Sequence, residues 1–108
     1  MRSKTLEKVQ ALVRMLEVRV SDHGYEELSA DNLFVRDIIN GITEAVVVED
    51  YPNYPKGPCV LVLQQDREKR PVHVVWGIPK GHDRPAVLIT SYRPDLEIWD
   101  DDFLRRSR

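Results

Sequence analysis

Cysteine occurs once among the 108 residues, at Cys59, so neither a disulfide nor a cysteine-based zinc site can form within one chain. A lone cysteine in an apolar run reads as a small buried hydrophobe. No window approaches the ~18 consecutive apolar residues of a membrane helix. Met1-Arg2-Ser3-Lys4-Thr5 leads into charged residues and not into an apolar signal segment, so a cytoplasmic protein with no membrane partner is expected. The sequence has no glycine-rich phosphate loop and no nucleophile elbow, which disfavours a stand-alone metabolic enzyme. His82-Asp83 beside Gly81 supplies two ligand-type side chains in a turn, too few for a metal site. No metal or other cofactor is expected. Repeats and low-complexity segments are also lacking, and the length suits one α+β domain over residues 1–108.

Net charge is only −2, which argues against a generic nucleic-acid coat, yet the charge is segregated along the chain. Residues 1–20 carry a net +3, residues 21–50 a net −7 and residues 67–93 a net +4. The last of these basic stretches offers phosphate contacts. The same charges also fit ordinary solvated loops. Asp95, Glu97 and Asp100-Asp101-Asp102 then precede a basic tail of Arg105, Arg106 and Arg108.

Leu6, Val9, Leu12, Val13 and Leu16 recur at helical spacing, which predicts an amphipathic helix over 4–17. Val18 and Val20 alternate with Arg19 and Ser21 in a short extended segment, and residues 22–28 read as a helical turn. A second helix over 30–40 is expected from Ser29 as N-cap, Asp31 in the first turn, the apolar stripe Phe34, Val35, Ile38, Ile39, and Gly41 as the stop. From Thr43 onward the period changes. Ala45–Val48, Val60–Leu63, Val72–Trp76 and Ala86–Ile89 are strand-like runs separated by the turns Pro52–Pro58, Asp66–Arg70 and Pro79–Pro85. Such short connections hold no crossover helices, so N-terminal helices packed on a four-stranded antiparallel meander are expected.

Both faces of these strands are apolar. Val72, Val74, Trp76 and Ile78 point one way, and His73 and Val75 the other. Two short helices do not readily cover two apolar faces, so a protein partner or a homodimer is expected.

Ser21-Asp22-His23, the Glu49-Asp50-Tyr51-Pro52 turn with Gly57-Pro58, Pro71-Val72-His73-Val74-Val75, and the closing Thr90–Asp95 with Trp99 together form one pattern. It resembles the bacterial domain-of-unknown-function family numbered 4258 over roughly Val18 to Trp99, leaving the 4–17 helix and the 100–108 tail outside. The resemblance implies a small RelE/barnase-like α+β fold and membership of a toxin-antitoxin pair. The partner would be a small antitoxin with a zinc finger or helix-turn-helix. By position, the histidine of the family's Ser-x-His opening is His23, that of its Pro-x-His strand is His73, and the aromatic before the terminal proline is Tyr92, with Arg93 following. The family's Glu-Arg pair after the first histidine is here Glu26-Glu27, so one basic group is missing.

Metal-independent cleavage of an RNA substrate needs a base, an acid and a cation for the phosphorane. Histidine suits the first two roles, and arginine the third through bidentate phosphate contacts. The expected catalytic set is His23, His73 and Arg93, with Tyr92 positioning a base or phosphate. Arg70, Lys80 and Arg84 are the expected substrate-binding cations. The opposing reading is plain packing, with His73 a satisfied strand residue, His23 orienting its turn, Tyr51 and Tyr54 stiffening the proline turn, and Trp76 and Trp99 serving as core and tail anchor. Two functions follow, a toxin-like endoribonuclease or a noncatalytic protein-binding module of the same fold.

Overall fold

A computed structural model describes residues 2–107. Helix α1 spans Lys4–Arg14 and is capped by Ser3, whose hydroxyl accepts from the Leu6 N–H at 3.1 Å and donates to Asp50 at 3.0 Å. The helix stops earlier than residue 17 because Leu16 adopts φ 60, a left-handed conformation that no helical residue shares. Strand β1 (Val18–Val20) follows, then α2 (Asp22–Ala30), α3 (Val35–Gly41), a 3-10 turn (Ile42–Glu44), and strands β2 (Val46–Tyr51), β3 (Cys59–Gln65), β4 (Pro71–Gly77) and β5 (Ala86–Tyr92).

Two local expectations are corrected. Residues 22–30 form a nine-residue helix where a turn was expected, N-capped by Ser21, which accepts from Gly24 N–H at 2.9 Å and donates to the Ile89 carbonyl at 2.9 Å. Gly24 is required at that contact: a Cβ would lie 2.9 Å from the Leu88 carbonyl oxygen. Ser29 therefore lies inside α2 and caps nothing. Asn32 at φ 56 ends α2, as asparagine tolerates that region, and α3 begins five residues later than expected, behind Phe34 with no side-chain cap.

The sheet order is β1-β5-β4-β3-β2. Strands β2 to β5 form a consecutive antiparallel meander, but the expectation of four strands is corrected. β1 pairs parallel with β5 through Val18↔Ala86, Arg19↔Val87 and Val20↔Leu88, giving a mixed five-stranded sheet. The crossover that parallel pairing requires is the whole chain between these two strands.

The helices cover one face. Val60, Val62, Val72, Val74, Trp76, Ala86 and Leu88 pack there against Leu6, Val9, Leu12, Leu28 and Ile38. Buried Gln64 ties the layers together, accepting from the Trp76 indole N–H at 2.9 Å and donating to the Ile38 carbonyl at 2.8 Å. The other face is covered only in part, by the segment that follows β5. Trp99, Phe103 and Leu104 pack there on Val48, Leu61, Leu63 and Val75. Part of the cover expected from a partner thus comes from the same chain. Among the described residues no helix is long and apolar enough to cross a membrane.

Candidate functional site

Cross-strand pairing places His73 beside Tyr92 on one side and Leu63 on the other, on the face away from the helices. The His73 ring is wholly buried. Its Nδ1 meets the Tyr92 hydroxyl at 3.2 Å and its Nε2 meets the Phe103 carbonyl oxygen at 2.7 Å, so the Nε2–H tautomer satisfies both contacts, donating to Phe103 and accepting from Tyr92. Trp99 stands edge-on to the imidazole, 4.4 Å between centroids at 88°. Burial pushes the His73 pKa down, only partly opposed by the Phe103 carbonyl, and burial pushes that of Tyr92 up.

A second set of charges closes this region. Arg106 lies over the Trp99 ring at 4.8 Å and grips Glu49 with two bonds of 2.9 and 3.1 Å. The Tyr51 hydroxyl also donates to Glu49. Arg106 holds the Glu49 carboxyl below the usual carboxylate range against the opposing effect of burial, and Glu49 in turn raises the Tyr51 pKa.

His23 is elsewhere. It is exposed on α2, 3.5 Å from Glu27, and α2 packs through Leu28 and Gly24 on the helix-covered face, so the sheet stands between the two histidines. Arg93 is engaged as well. Its guanidinium donates to buried Asp66 at 2.8 Å and to the Pro71 carbonyl at 3.3 Å, and its N–H donates to Asp31 at 2.9 Å. Burial raises the Asp66 pKa, but the N–H groups of Arg70 and Glu68 and the Arg93 side chain outweigh it and leave the carboxyl lowered. Of the four expected catalytic residues, the structure brings together His73 and Tyr92.

The expected substrate cations divide as well. Arg70 precedes β4 and pairs with Asp66 and Glu68, while Lys80 and Arg84 follow the other end of that seven-residue strand, about 20 Å away at strand rise. Arg84 stands 3.7 Å from Glu17. Lys80 stands beside Lys56, donating its backbone N–H to the Lys56 carbonyl at 3.1 Å.

Around that end of the sheet the face away from the helices forms a hollow of about 370 Å³. Its floor is Cys59, Gly77, Val87 and Ile89, and its rim carries Arg19, Tyr54 and Lys56. Gly57 shapes the wall, since at φ 124 a Cβ would lie 2.2 Å from the Ile78 carbonyl oxygen. Burial pushes the Cys59 thiol up, so it is a neutral floor residue. Among the described residues Arg19, Lys56 and Lys80 have no carboxylate within 4.0 Å. A larger groove of about 490 Å³ between α3 and the end of β3 is spanned by the Arg67–Asp37 pair at 3.0 Å.

A family model described as Domain of unknown function (DUF4258) matches residues 20–93. The chain belongs to this family. The DUF4258 match includes His23, His73, Tyr92 and Arg93 and ends before the segment that covers His73. Neither the curated proteins nor the solved structures returned a match.

Sequence reasoning missed Arg19, Lys56, Glu49 and Arg106. Arg19 had a signal: alternating with Val18 and Val20, it had to point away from their apolar face.

Proposed function

We propose that this DUF4258 chain is a noncatalytic protein-binding module that receives an acidic partner at the hollow bounded by Arg19, Tyr54 and Lys56. One contrast carries this reading. His73, Tyr92 and Arg93 are bound to groups of their own chain, whereas Arg19 and Lys56 stand beside an apolar floor and have no carboxylate within 4.0 Å among the described residues. A general base or acid must reach its substrate proton within hydrogen-bond distance, and His73 has neither a free nitrogen nor an open side. Unpaired cations around an apolar recess instead suit a chain segment with acidic and aliphatic side chains, where charge sets register and encounter rate and the recess adds burial.

The test uses a fluorescein-labelled peptide of alternating glutamate and leucine, followed by anisotropy. Binding that weakens with salt and falls about tenfold or more in Lys56→Glu is expected. Equal binding by the variant, or none by wild type, contradicts the reading.

The endoribonuclease reading keeps one observation in its favour, the direct His73–Tyr92 contact on a family strand. It requires the segment after β5 to lift from the sheet. Metal-free cleavage of mixed RNA in the presence of chelator, lost in His73→Ala, would establish it in place of the binding module.

A further inference from the structure

We infer that the partner received by the hollow is a second copy of this chain, through its own segment Asp95–Asp102. The inference rests on the binding-module reading and names its partner. Three observations lead to it. Residues 95–98 alternate acidic and aliphatic side chains, Asp95, Leu96, Glu97, Ile98, with Asp100-Asp101-Asp102 following. Leu96 is 60% exposed and Ile98 46%, large aliphatic surface that the described residues leave open. Among the described residues none of these acidic side chains has an ion-pair partner within 4.0 Å, so the segment mirrors the hollow in both charge and polarity.

Placement makes the match geometric. Trp99 turns inward onto the sheet face that carries His73 and Leu61, and the backbone is held rigid there. The Trp99 and Ile98 N–H groups bond the Asp95 carbonyl at 2.8 and 2.9 Å, and Asp95 accepts from the Glu97 N–H at 2.9 Å. The hollow opens on the same face, since Gly77 and Val87 are cross-strand partners on the His73 side. An acidic-aliphatic segment and a basic-apolar hollow on one face satisfy a two-fold axis. Two copies laid face to face put each segment on the other's hollow, an isologous contact that closes at two.

The experiment is sedimentation equilibrium on the full chain with charge swapping. Wild type is expected to dimerise, with weakening at about 1 M salt, where the Debye length is about 3 Å. The hollow variant Arg19→Glu/Lys56→Glu and the segment variant Glu97→Lys/Asp101→Lys should each associate at least about tenfold more weakly. An equimolar mixture of the two should recover a dimer, because one of its two contacts is the wild-type pairing and the other joins the two sets of swapped charges. All four positions are exposed, so folding is preserved, and Leu96→Ser tests the aliphatic half of the contact without altering charge. A wild type that stays monomeric, a dimer that survives both double variants, or a mixture that fails to recover association overturns the inference. Where wild type is monomeric yet binds the glutamate-leucine peptide, the self-association fails and the binding module stands. Where neither occurs, both fail.

Discussion

One face of the sheet is built in two ways. Around His73, Tyr92 and Glu49 every titratable group has a partner inside the chain and the segment after β5 lies on top. Some four residues along the same strands, around Gly77, the floor is apolar and Arg19 and Lys56 have no carboxylate within 4.0 Å among the described residues. The capped half resembles an active site in residue type but behaves as core. The open half, where burial pushes the Cys59 thiol up, is the part we propose as the docking surface. Residue chemistry alone is thus a poor guide to which half acts, and the state of each group's partners separates them.

The sharpest way to break this comparison is Trp99→Ala. Trp99 is 3% exposed and contacts both His73 and Arg106, so its truncation should cost about 3 kcal/mol in urea unfolding, as for buried aromatics. A loss near zero would make the cap an ornament. Next comes Arg93→Ala, which leaves buried Asp66 with the longer Arg70 contact at 3.4 Å in place of the Arg93 contact at 2.8 Å. Removing one member of a buried pair costs about 3–5 kcal/mol, reduced here to about 2 because Arg93 is partly exposed. Stability falling without any change in peptide binding marks Arg93 as structural.

Acid should also distinguish the halves. His73 has its pKa lowered from 6.5, so the unfolded state takes up a proton before the folded one does. Its contribution to stability is complete above about pH 6.5 and declines as pH falls toward the folded value. Glu49, lowered from 4.5, holds its contribution above that value and loses it as pH falls through its folded pKa. Urea midpoints measured from pH 8 to pH 4 should show the first decline in wild type and not in His73→Gln. The smallest effect belongs to the open half. Arg19→Ala should change stability by less than about 0.5 kcal/mol, since its exposed side chain makes no ion pair within 4.0 Å among the described residues, while weakening peptide binding measurably.

Much of the fold is legible in the residues. The β-branched runs at Val60–Leu63 and Val72–Trp76 are long enough to show their period, and they form β3 and β4. Strand β1 shows its alternation in only three residues, Val18, Arg19 and Val20, and its place in the sheet was missed because its pairing depends on β5 far along the chain. Helix α2 is obscured by Gly24, which lowers helix propensity yet is needed for the close approach to Leu88. For the site, the His73–Tyr92 contact follows from strand alternation and register. The Phe103 carbonyl on His73 and the Asp66 carboxylate on Arg93 arise from chain reversals that no local pattern encodes, and the hollow draws its rim from β1 and the proline turn, which are distant in sequence.

Histidine modification by diethylpyrocarbonate, followed residue by residue with mass spectrometry, tests most directly whether the His73 half is sealed. His23 and His82 are exposed and His73 is wholly buried. The account predicts rapid modification of His23 and His82, protection of His73 in wild type, and loss of that protection in Trp99→Ala. Modification of His73 in wild type at the rate of His23 would mean that the cap stands open and that the two halves of the face are not distinct.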